Sequence, residues 1–188
     1  MTSILSQLRQ RRSLSLKRQW VAAACAVVCA VALPQILHVL GRVTGLGTAL
    51  GIALLPMHLP ILFVGLAAGP VAGAAAGLLS PVVSFLLSGM PLISNLPLMM
   101  LELCVYGLVA GLLSGSGLPT VLRLLIAQIA GRMAYLGGVL VAIFAAGRTD
   151  LGVLSALASF RTGLFGVLLQ LVLLPLIIRC LEQSAPKE

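Results

Sequence analysis

The segment Arg9–Leu40, RQRRSLSLKRQWVAAACAVVCAVALPQILHVL, joins a basic flank to a long uncharged run. Five of the chain's twelve Lys and Arg residues fall in the flank: Arg9, Arg11, Arg12, Lys17 and Arg18. The run from Trp20 to Leu40 would rise about 31 Å as a helix, the thickness of a bilayer's hydrocarbon core. Lys and Arg beside a span are retained on the cytoplasmic side. This segment therefore predicts a first transmembrane helix with the N-terminus inside. A cleaved signal peptide is the alternative, since Ala30-Val31-Ala32 mimics a cleavage site, but the apolar run continues well past it.

The remainder has the same character. Of 188 residues, 60% are hydrophobic and only 9% charged, and the mean hydropathy is +1.17. Too few polar side chains exist to clothe a soluble domain of this size, so the apolar surface must face lipid. The net charge of +8 lacks the basic patches interleaved with aromatics that nucleic acid requires. An all-α, polytopic membrane fold follows, because a lipid-exposed backbone must satisfy its own hydrogen bonds. Six transmembrane helices are expected, at roughly Trp20–Leu40, Thr48–Ala68 (broken at Pro56 and Pro60), Pro70–Ser88, Leu96–Leu113, Leu118–Ala145 and Leu154–Leu181. The organisation is then a basic cytoplasmic segment 1–19, one membrane domain 20–181 and a cytoplasmic tail 182–188. Both termini lie inside, with Arg123, Arg179 and Lys187, while Arg42, Arg148 and Asp150 lie outside. The longest connection is expected around Gly41–Gly47. A bacterial cytoplasmic membrane is the expected location. Cys25, Cys29, Cys104 and Cys180 sit in apolar runs without metal-ligand spacing and read as packing residues, so no metal site is expected.

Charged and polar residues inside spans carry the functional signal, because each is costly in lipid. Glu102, Arg132 and Arg161 come from three spans, and a rise of 1.5 Å per residue places all three at one level, about 10 Å below the outer surface. Asn95, Met99, Glu102 and Tyr106 recur at helical spacing on the fourth span. Gln128, Arg132 and Tyr135 do so on the fifth. The two antiparallel stripes can oppose one another, and facing stripes would line a cavity open to the outside. With all three charges in it the cavity would carry about +1 and favour a carboxylate, which Arg holds bidentately. A Glu102–Arg132 ion pair that only locks two helices is the plainer alternative. His58 lies in LPMHLP, where two prolines disrupt the helix and irregular backbone is tolerated beside a cavity. It either contacts a ligand or is satisfied by freed carbonyls. Ala22, Ala26 and Ala30 form a small-residue stripe suited to close helix packing, with another span or with another protein.

Leu55–Gly65 (LPMHLPILFVG), Gly77–Pro91 (GLLSPVVSFLLSGMP) and Met99–Leu112 (MMLELCVYGLVAGL) resemble the substrate-binding S components of energy-coupling factor (ECF) transporters. The likeness is to the subgroup of pantothenate, pyridoxine and hydroxymethylpyrimidine carriers, and it covers most of the chain. It implies a six-helix fold that captures a vitamin or precursor from outside. It also implies no cofactor in this chain, a transmembrane scaffold (T) subunit, and two further subunits that use ATP. It assigns scaffold docking to Ala22, Ala26 and Ala30, and lid closure to the Arg42–Leu55 region. A net positive site leans toward pantothenate. Separately from that resemblance, no GxxxxGK[ST] is present, so concentrative uptake needs an energy-giving partner or a coupling ion.

Two other functions fit a polytopic chain. A stand-alone secondary carrier or small channel would show inverted repeats with matched broken helices, and only the second span is visibly broken. An intramembrane enzyme would pair Ser116 with His58 as base, but these are expected at different depths, and HExxH is absent.

Overall fold

A computed structural model describes residues 15–184, except 48, 146, 149 and 151. The expected basic residues Arg9, Arg11 and Arg12, and Lys187 of the tail, lie outside the described residues. Among these residues eight helices follow in order: α1 (Leu16–Val43), α2 (Ala49–Leu54), α3 (His58–Ala68), α4 (Pro70–Ser88), α5 (Leu96–Leu113), α6 (Thr120–Phe144), α7 (Val153–Thr162) and α8 (Leu164–Ser184). The described residues contain no strand. Among the described residues five helices are long and apolar enough to cross a membrane: α1, α4, α5, α6 and α8.

Two expected spans take a different form. The second divides into α2 and α3, and α3, at 11 residues, rises only about 16 Å, half a hydrocarbon core. The break lies at Leu55–Met57 alone. Pro60 is the third residue of α3, where its missing N–H has no intrahelical acceptor to lose. The sixth expected span, Leu154–Leu181, is interrupted at Gly163, and the spanning helix starts only at Leu164. No proline marks that interruption, so it was missed. The first helix is longer than expected, starting at Leu16 and ending at Val43, which confines the following connection to 44–48.

Glycine sets the centre of the bundle. A Cβ on Gly73 of α4 would fall on the Gly107 carbonyl of α5, and a Cβ on Gly107 would fall on that of Gly73. Gly65, Gly77 and Gly111 extend this backbone-to-backbone contact between α3, α4 and α5. Close approach of this kind replaces the hydrophobic drive that helices lack in lipid. Ala23, Ala26 and Ala30 of α1 pack into the same core, beside Ala72 and Ala76 of α4. Ala26 is 7% and Ala30 0% exposed. The alanine stripe thus packs against helices of this chain, with Ala22 partly buried against the same core.

At one end of the bundle Gly69, with φ 113, reverses the chain between α3 and α4. Arg123 holds the neighbouring loop there through the carbonyls of Ser114 (3.0 Å) and Ser116 (2.6 Å). At the opposite end Arg148 donates to the Ser94 carbonyl (2.9 Å) and pairs with Asp150, tying two connections together.

Candidate functional site: a cavity beside the Leu55–Met57 break

A cavity of about 290 Å³ lies near the Arg148 end, with Met90, Pro91 and Asn95 in its lining. Pro34, Gln35 and His38 line it from α1, and Leu55–His58 from the break and the start of α3. Asn95, Met99 and Glu102 enter from the α5 side, and Arg132 and Tyr135 from α6. Ser84 of α4 and Ser159 of α7 complete the wall with Met90 and Pro91. The volume is at the small end of ligand sites, which run from about 300 Å³ upward.

Its charged centre is an ion pair, with Arg132 Nη1 2.9 Å from Glu102 Oε1. The Tyr106 hydroxyl, one helical turn from Glu102, donates to the same oxygen at 3.0 Å. Tyr106 is 1% exposed and packs against Gly131 of α6, where a Cβ would fall on its ring. It lies behind the cavity wall and orients the carboxylate from there. Its ring also meets His58 at a tilt, with ring centroids 5.2 Å apart. Neither ring nitrogen of His58 makes a hydrogen bond of normal geometry, and both are buried. The Arg132 guanidinium sits 4.8 Å from the centroid of Phe160, a cation–π contact supplied by α7. Its Nη2 is buried without a hydrogen-bond partner. Tyr135 packs edge-on against Phe160 and donates to Asn95 Oδ1 at 3.4 Å.

The expected residues therefore divide into three groups. His58, Asn95, Glu102, Arg132 and Tyr135 line the cavity. Tyr106 and Gln128 stand behind it, Tyr106 through Glu102 and Gln128 through Gln170 of α8. Arg161 is exposed and outside the lining. It closes α7 ahead of the spanning helix, so a depth reckoned along one continuous helix does not apply to it. It also sits about 100° around the helix from Phe160, which faces Arg132. The expected trio of charges is thus a pair, and the positive cavity becomes a balanced one.

Sequence reasoning missed Gln170, Phe160 and Ser159. Gln170 is 1% exposed; its signal was a lone amide inside an otherwise apolar span, the same cost argument that singled out Glu102. Ser116 donates to the Leu113 carbonyl after α5. A whole α3 length, about 16 Å, separates His58 from that end of the bundle, so the two do not form a dyad.

Apolar helices of spanning length around a largely apolar, solute-sized hollow that holds a few polar side chains fit a multi-pass membrane protein. The family model of the ECF transporter substrate-specific component matches residues 21–178, and the chain belongs to that family. It is a family of transporter components, not of enzymes. No curated protein and no solved structure matches the chain.

Proposed function

We propose that this chain captures a small vitamin or vitamin precursor from the outer side of a bacterial cytoplasmic membrane and releases it inward through an ATP-driven module. The Glu102–Arg132 pair at the wall of a 290 Å³ cavity carries the reading. An ion pair taken out of water recovers its desolvation cost only with good geometry and further hydrogen bonds. Here it has both, and it borders a hollow rather than dry packing. With Arg161 outside, the charges of Glu102 and Arg132 cancel, so the lean toward a carboxylate such as pantothenate is withdrawn. A net-neutral ligand of the pyridoxine or hydroxymethylpyrimidine kind, with donors and acceptors on one small ring, suits a balanced pair between methionine, proline and aromatic walls.

The topology of this proposal has six crossings with both termini inside, α2–α3 together making the second. Lys17, Arg18, Arg123 and Arg179 then share the inner end, while Arg42 and Arg148 share the outer one. The partners are a transmembrane scaffold subunit and two ATP-binding subunits, which use the ATP. Because Ala22, Ala26 and Ala30 face inward, scaffold docking falls to the opposite side of α1, where Ala24, Val28 and Ala32 are exposed.

Reconstituted vesicles test the reading. Vesicles holding this chain alone should bind but not concentrate labelled pyridoxine, hydroxymethylpyrimidine or pantothenate. Adding scaffold and ATP-binding subunits with ATP should give concentrative uptake of one of them. Concentrative uptake by the chain alone, driven by an ion gradient, would establish a secondary carrier instead.

A further inference from the structure

Leu55 is a branched residue held at φ 48, in the left-handed region that such residues rarely adopt. It sits where α2 stops and α3 has not begun, and its carbonyl has two donors. The His58 backbone N–H reaches it at 3.1 Å, and Gln170 Nε2 of α8 at 3.2 Å. Gln128 Nε2 of α6 in turn donates to Gln170 Oε1 at 2.9 Å. A carbonyl only accepts, so Gln170 must turn its NH₂ toward Leu55 and its oxygen toward Gln128. That order fixes both amides and leaves Gln128 Oε1 buried without a partner. The backbone around Leu55 is gripped from the same helix at Gly166, whose Cβ would come within 2.7 Å of the Leu54 carbonyl. At Gly163 a Cβ would meet Leu55 Cδ1 at 2.9 Å and Arg132 Nη2 at 3.1 Å.

We infer that Gln170, oriented by Gln128, is a positioning residue of the cavity. It clamps the Leu55 carbonyl and so sets where α3 starts, and with it the placement of Met57 and His58 in the wall. Gln170 itself does not line the cavity, so its role is exerted through Leu55. Elements distant in sequence are thereby made one wall: 42 residues separate Gln128 from Gln170, and 115 separate Gln170 from Leu55. The inference rests on the reading of this cavity as the solute site, but its test needs no ligand, so the two stand or fall separately.

The chain contains two histidines, His38 and His58, which makes imidazole a clean probe. The full chain, labelled with ¹⁵N-histidine in lipid nanodiscs, is compared as wild type, Gln170→Leu, Gln128→Leu and Leu174→Ala, with His38→Gln used for assignment. Leu174 is a fully buried core residue of the same helix and controls for loss of packing. Gln170→Leu should move the His58 ring signals and speed exchange of the His58 amide about five- to tenfold, the loss of one hydrogen bond. Gln128→Leu should do the same to a smaller extent, and Leu174→Ala should leave the His58 signals in place. Unmoved His58 signals in Gln170→Leu overturn the inference, as does an identical pattern in Leu174→Ala. Should Gln170→Leu fail to insert, Gln128→Leu decides by the same readout.

Discussion

Arg132 makes one ion pair, one ring contact and leaves one nitrogen unpartnered, all beside the same hollow. Lysine offers a compact charge without the planar fork, so Arg132→Lys should keep the Glu102 contact yet lose the Phe160 face and weaken ligand binding at least tenfold, read by titration. Removing one partner alone confounds stability with binding, since an unpaired buried charge costs about 3–5 kcal/mol. Replacing both, Glu102→Leu with Arg132→Met, removes that penalty. The double variant should melt within a few degrees of wild type and bind nothing; a lock between helices, by contrast, would leave binding intact. Glu102 and Arg132 were readable in the sequence because a charge inside an apolar run has so few acceptable reasons to be there. Gln170 obeyed the same rule but lacked a helical-period neighbour, and Arg161 was misplaced because nothing in Thr162-Gly163-Leu164 announces a helix boundary.

Helix α1 shows what periodicity reveals and what it leaves open. The small-residue stripe is visible at four-residue spacing, but spacing alone does not say which neighbour it meets. Packed against α4, Ala26 has no room for a larger side chain, so Ala26→Trp should destabilise the bundle itself, lowering its melting temperature and its yield of inserted protein. Val28→Trp, on the exposed face, should leave melting unchanged and abolish co-purification with the scaffold subunit. Breaks are the other element whose existence outran the sequence: Pro56 marked the first, whereas the second, at Gly163, has only a glycine. At the end of the bundle where Ser94 lies, the hydrogen bond from Arg148 holds the Asp150 carboxyl below its usual range. A lowered folded-state value means the contact is complete above the free value of 3.8 and is lost as pH falls through the lowered one. Arg148→Ala should therefore loosen the Ser94 and Asp150 connections at neutral pH, as faster amide exchange there, and acid below that range should reproduce the Asp150 part in wild type.

Across the bundle, rigidity and openness are segregated. Glycine faces weld α3, α4 and α5 at backbone contact, while both interrupted helices gather at the cavity, α2–α3 through Leu55 and α7–α8 through Ser159 and Gly163. Composition and hydropathy made the helical membrane class plain, because no other solvent accepts so apolar a chain. They did not show how the α7–α8 region meets the hollow, since part of that rests on Gly163 and Gln170 reaching Leu55, more than a hundred residues away. Solute capture by this bundle requires that the Glu102–Arg132 pair serve the ligand and not only lock two helices. The small molecule that purifies with the wild-type chain, identified by mass spectrometry, should be titrated against wild type and the Glu102→Leu/Arg132→Met variant at matched melting temperature. A loss of affinity of a hundredfold or more is the expected result, and equal affinity would contradict the account.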